Sequence, residues 1–180
     1  MKNVRIPLTA ALLLMLTFGC RKKDVLSSSL ENNSNAIAKH TDGVNESDWQ
    51  AGNEWAGVEQ PQYSIYYTSI QAAAITSDAA EKGMVRVFKI NDSGKSSETT
   101  ALPFEETKGS EKYYWYYQVT EGNIMISVDV YGSKTNPAEK SLFKYVILSN
   151  EVVDGFEKKG TSKSDLMSMS YQGITDATKN

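Results

Sequence analysis

The sequence predicts an antiparallel β-sandwich with one or two short helices, preceded by a signal peptide and a disordered tether. Three observations predict it. Five segments rich in β-branched and aromatic residues lie at 63–70, 84–90, 112–119, 123–131 and 142–149. Turn-forming stretches separate most of them, and short connections favour antiparallel neighbours. All three Trp and all ten Tyr lie beyond residue 48, whereas Arg21 to Ser47 contains no aromatic residue.

In chain order, residues 1–19 read as a leader. Lys2 and Arg5 form a positive n-region, and Leu8 to Phe18 is an apolar run, shorter than the roughly 20 residues a permanent bilayer span needs. Gly19-Cys20 follows at once, so the stretch resembles a bacterial lipoprotein signal, cut before a cysteine that carries lipid. Thr17 and Phe18 depart from the usual Leu and small residue of that signal. The resemblance implies lipidation of Cys20. Arg21, in place of the Asp that commonly retains such proteins in the inner membrane, implies an outer-membrane anchor on the periplasmic or cell-surface side. Cys20 is the only cysteine, so a lipid there leaves no disulfide, thiol nucleophile or cysteine metal site.

Residues 20–47 read as a flexible tether, rich in Ser, Asn and charge. The 27 residues from Arg21 to Ser47 would span about 30 Å as a coil. His40, the only histidine, lies within it, which makes a poor setting for a catalytic base. Residues 48–180 are then expected to form a single domain. Without the leader, 17 Lys and Arg stand against 22 Asp and Glu, a net charge of −5. That balance argues against nucleic acid and against anionic lipid as partners.

Within the domain, 76–82 reads as a short helix stopped by Gly83, and a last helix near 164–172 starts on Ser162 or Ser164. The methionines and Tyr171 of that last helix are expected to pack on the sheet. Ala101–Phe104 reads as an edge strand, because Pro103 cannot donate to a central ladder.

The stretch Tyr113 to Tyr117 reads YYWYY. A strand alternates its faces, so Tyr113, Trp115, Tyr117 and Val119 share one side, and Lys112, Tyr114, Tyr116, Gln118 and Thr120 the other. Closing a hairpin over Glu121-Gly122 sets Val119 against Ile124, Tyr117 against Ile126, Trp115 against Val128 and Tyr113 against Val130. Every core-type residue meets another, which fixes the register. Tyr114 then lies opposite Asp129 and Tyr116 opposite Ser127. Two aromatics beside a carboxylate and a hydroxyl suit stacking on a sugar. The competing reading is cross-strand packing, or cover by the C-terminal helix or by the segment around Trp49 and Trp55.

Catalytic signatures are sparse. A domain without histidine lacks the usual Ser-His-Asp and Cys-His arrangements. Ser141 to Lys144 matches a Ser-x-x-Lys string, but on a strand rather than the helical turn that string needs. Glu54 with Glu59, or Glu105 with Glu106, are the carboxylate pairs on which a hydrolase would have to rest. The sequence implies no cofactor and no metal.

The order of elements, with ITSDAAEKGMVRVF, ALPF, the aromatic hairpin, FKYVIL and the terminal SDLMSMSY, resembles small uncharacterised Bacteroidota lipoproteins with a C-terminal all-β domain. The resemblance covers residue 49 to about 172. It implies fold and address and adds no mechanism; Lys144 stands where Arg is frequent in that group. The expected function is a lipid-anchored envelope protein acting as a non-enzymatic binding or structural module, with an envelope protein or a glycan as partner. The alternative is a glycan-binding accessory lipoprotein using Tyr114, Tyr116 and Asp129, and the remote one a carboxylate-based hydrolase.

Overall fold

The computed structural model describes residues 37–91, 99–137 and 141–179. The leader, Cys20 and the first part of the expected tether lie outside the described residues. Asn35–Asn180 forms one compact unit.

Eleven strands and four short helices make up the described fold. In chain order they are β1 Ile37–Thr41, β2 Val44–Ser47, β3 Gln50–Ala51, β4 Ala56–Glu59, β5 Tyr63–Gln71, α1 Ser77–Glu81, β6 Met84–Asn91, β7 Thr100–Ala101, β8 Phe104–Lys108, β9 Glu111–Thr120, β10 Asn123–Tyr131, β11 Ser141–Leu148, α2 Asn150–Lys158, α3 Lys163–Ser168 and α4 Tyr171–Ala177. The expected antiparallel sandwich is present, and no barrel closes. Sheet A runs β1-β2-β11-β6-β7, with β3 also on β11; sheet B runs β4-β5-β10-β9-β8.

Alternation sorts the side chains into two cores. Val85 and Val87 of β6 and Phe143, Tyr145 and Ile147 of β11 meet Trp115, Ile124, Ile126, Val128 and Val130 of sheet B. The opposite face of the same two strands presents Met84, Phe88, Val146 and Leu148 to Val153, Leu166 and Ile174 of the helices. Sheet A is therefore covered on both sides, which is why β6 and β11 read as almost continuous apolar runs. Sheet B lends only one face to a core.

The hairpin register is the one the apolar pattern requires: Val119 pairs with Ile124, Tyr117 with Ile126, Trp115 with Val128 and Tyr113 with Val130. Gly122 takes φ 70° in its turn, a left-handed conformation that favours glycine. The same turn is tied to the end of β5, where Ala72 N–H donates to the Gly122 carbonyl at 2.9 Å and Gly122 N–H to the Ile75 carbonyl at 2.8 Å.

Four expectations need correction. The ordered domain begins before residue 48. Residues 37–47 form the β1–β2 hairpin on β11, drawn in by polar contacts that composition hides. Ser47 Oγ accepts from Tyr145 N–H at 3.0 Å, and Glu46 pairs with Lys144 at 2.6 Å. The described residues form four helices. α2 begins on the Ser149 cap, and the expected last helix is two, capped by Ser162 and Ser170. Residues 101–104 are not one edge strand: β7 closes an edge of sheet A, β8 an edge of sheet B, and the cis Leu102–Pro103 peptide lies between them. Of the last helices' side chains, Tyr171 and Met169 pack on the sheet A core, but Met167 is exposed.

Candidate functional site

The outer face of sheet B is where Tyr114, Tyr116 and Asp129 come together. Strand alternation places Tyr63, Ile65 and Tyr67 of β5, Met125, Ser127, Asp129 and Tyr131 of β10, and Lys112, Tyr114, Tyr116 and Gln118 of β9 on it. One cross-strand row reads Val58, Ile65, Asp129, Tyr114, Glu105; the next reads Ala56, Tyr67, Ser127, Tyr116. Five tyrosines thus share one face.

These rings are arranged in two ways. Tyr63 stacks on Tyr131, with centroids 5.1 Å apart and planes at 19°. Tyr114 meets Tyr131 edge to face at 5.5 Å and 81°. That trio is cross-strand packing of the kind that stabilises sheets without any ligand. Yet Tyr114 remains 36% exposed and Tyr67 38% exposed. Tyr116 is half-buried and donates its hydroxyl to Asp129 Oδ1 at 2.9 Å. Burial, followed by that hydrogen bond, pushes the Tyr116 hydroxyl up to about 12.

The elements expected to cover this face lie elsewhere. Trp49 packs against Tyr171 at 6.2 Å on the helix side of sheet A. Trp55 packs against Phe143 at 6.1 Å, between the sheets. α2, α3 and α4 send Val153, Leu166 and Ile174 into the sheet A core.

The inward half of YYWYY is wall. Trp115 is 1% exposed, stacks on Phe104 at 6.1 Å and 7°, and donates Nε1–H to Glu106 Oε1 at 3.2 Å. Lys89 Nζ lies 4.5 Å from the Trp115 ring centroid, and burial lowers its ammonium. Tyr117 donates to the Val85 carbonyl at 2.8 Å.

Of the proposed hydrolase pairs, one does not converge. Glu105 and Glu106 are neighbours on β8 and point to opposite faces, Glu106 towards Trp115. Glu59 is held by Lys134 at 2.6 Å. Ser141 and Lys144 likewise fall on opposite faces of β11. Among the described residues no cluster of three or more His, Cys, Asp and Glu is placed to hold a metal ion, and no helix is long and apolar enough to cross a membrane.

Sequence reasoning singled out three members of this face. It missed Tyr63, Tyr67 and Glu105 as members of this face, whose signal was the alternation within β5 and β8, readable only once the strand order is known. Comparison with family models, with curated proteins and with solved structures finds no match.

Proposed function

We propose that the chain is a non-enzymatic binding module of the cell envelope, anchored through lipid on Cys20, and that the tyrosine face of sheet B takes a glycan. The observation that supports it is the exposure of Tyr114 and Tyr67 on a sheet face that no described helix covers. Sugar rings offer apolar C–H faces to aromatic side chains, and Asp129 and Gln118 supply hydrogen-bonding groups among the rings, whereas Ser127 is buried beneath them. An open sheet face suits an extended chain rather than a small molecule, which prefers a concave pocket. The leader, the lone Cys20 and the Ser- and Asn-rich stretch after it support the envelope address.

The test is binding of the full chain, purified in detergent, to a panel of oligosaccharides, with Tyr114→Ala/Tyr116→Ala as the control. Specific binding that the double variant loses while its thermal unfolding remains cooperative supports the reading. Absence of binding across the panel overturns it and leaves the face as sheet packing.

A further inference from the structure

We infer that this face selects glycans bearing free, protonated amines, with Asp129 and Glu105 as their counter-ions; the inference rests on the glycan reading above. The cross-strand row Asp129, Tyr114, Glu105 sets one carboxylate on each side of an exposed tyrosine. Neighbouring strands are about 4.8 Å apart, so the two acidic positions bracket the ring at about 10 Å from each other.

Neither acid is neutralised by an ion pair among the described residues. The Lys side chains that form ion pairs hold Asp78, Glu106, Glu59, Glu46 and Asp176. Glu105 makes no ion pair among the described residues, and Asp129 engages Tyr116 alone through Oδ1. Lys112, two residues before Tyr114 on the same face, forms no ion pair with either acid among the described residues. Two carboxylates therefore stand against one ammonium around Tyr114.

A half-buried carboxylate among aromatic rings is an incomplete electrostatic arrangement. The Tyr116 hydroxyl donates to one oxygen of Asp129, and an incoming donor can meet the other. An ammonium group completes the arrangement. The group would accept the negative face of Tyr114 or Tyr131 as a cation–π partner and donate a charge-assisted hydrogen bond to the Asp129 carboxylate. An N-acetylated sugar offers a neutral amide instead, and a uronic acid brings a like charge. The order of preference is thus free amine, then neutral sugar, with acidic polymers rejected.

The experiment is calorimetric titration of the full chain in detergent, at mildly acidic pH, with four probes. These are a chitosan oligosaccharide, the chitin oligosaccharide of equal length, a cellulose oligosaccharide and an oligolysine peptide. The expected result is about tenfold tighter binding of the chitosan oligomer than of its N-acetylated counterpart. Asp129→Asn abolishes that preference, and Glu105→Gln, at an exposed position outside both cores, weakens it. Equal binding of the chitosan, chitin and cellulose oligomers overturns the amine inference and keeps the glycan reading. Binding of none overturns both. Tighter binding of oligolysine assigns the face to a basic protein segment and overturns the amino-sugar inference.

Discussion

Tyr116 and Asp129 are joined along a diagonal of the β9–β10 ladder. The residue directly opposite Tyr116 is Ser127, and the residue directly opposite Asp129 is Tyr114, yet the Tyr116 hydroxyl reaches Asp129 Oδ1 at 2.9 Å. Diagonal neighbours in antiparallel pairs lie within reach of aromatic side chains. The bond orients the carboxylate beside Tyr114, and so connects sheet register to the chemistry of the face.

That bond has a pH signature. The folded protein holds the neutral Tyr116 hydroxyl, raised to about 12, over the ionised one. Its stabilisation is therefore complete below the ordinary tyrosine value of about 10 and is lost as pH rises from there through the folded value. Asp129→Asn removes the negative charge and retains an acceptor. In a spectrophotometric titration of tyrosinate, one of the two highest transitions should move towards lower pH in that variant, the other belonging to Tyr113, whose hydrogen bond to Glu111 also raises it to about 12. An unchanged curve would mean that Tyr116 does not face a carboxylate.

Adjacent residues of YYWYY should differ sharply in their contribution to stability. Trp115 is fully buried between Phe104, Phe143 and Lys89. Trp115→Ala should cost about 3–5 kcal/mol in chemical denaturation, the usual range for large aromatic truncations in a core. Tyr114→Ala, which gives up one edge contact to Tyr131, should cost about 1 kcal/mol or less. Similar losses at both sites would contradict the two-faced strand.

One buried hydroxyl is an expected weak point. Thr68 on β5 is almost fully buried, and its Oγ1 has no hydrogen-bond partner among the described residues. Thr68→Val keeps the shape and removes the unsatisfied group. It should raise stability by about 1 kcal/mol, seen as a higher denaturation midpoint with an unchanged slope.

The fold was legible where burial acts on one face at a time. The β9–β10 register follows from apolar alternation alone, because shifting it by one residue would send Ile124, Ile126 and Val128 into water. Strands β5, β6 and β11 were equally plain from their composition. What the sequence hid was carried by polar residues. β2 is VNES, and its place on sheet A depends on Glu46 and Ser47 meeting Lys144 and Tyr145, nearly a hundred residues away. α2 was hidden because Gly155 interrupts a short segment that follows a long apolar strand, although Ser149, Glu151 and Lys158 mark its ends. Tyr63 and Tyr67, two of the five tyrosines of the face, were out of reach because β5 pairs with β10 across more than fifty residues, a partnership no local pattern encodes.

The network around Lys144 should behave as a unit. Lys144 Nζ lies 2.6 Å from Glu46 Oε1 and 3.2 Å from the Tyr171 hydroxyl, and Tyr171 also donates to Glu46. Burial alone would lower the Lys144 ammonium, but the hydrogen bonds to Glu46 and Tyr171 outweigh it and raise it. Its stabilisation is then complete below the ordinary lysine value of 10.5 and is lost as pH rises through the folded value. Lys144→Ala leaves Glu46 without this partner and should cost about 3 kcal/mol. A double-mutant cycle with Glu46→Gln should show coupling, and additive losses would mean the pair acts as two independent surface charges.

The β1–β2 hairpin should set the minimal folding unit. A chain beginning at residue 48 loses Glu46 and Ser47, and with them the acceptor for Tyr145 N–H and the counter-ion of Lys144. It also bares the β11 edge along Val146, Ile147 and Leu148, which β2 covers through Glu46, Asn45 and Val44, and an unpaired apolar edge invites association. Gly43 adds a further tie, because Ser149 N–H, at the α2 cap, donates to its carbonyl at 2.8 Å. A chain beginning at residue 35 retains all of these contacts. Thermal unfolding should therefore find the longer fragment cooperative and monomeric, and the shorter one with a lower midpoint and a concentration-dependent tendency to aggregate. Equal midpoints would show that the hairpin adds no stability, and would return the start of the domain to residue 48.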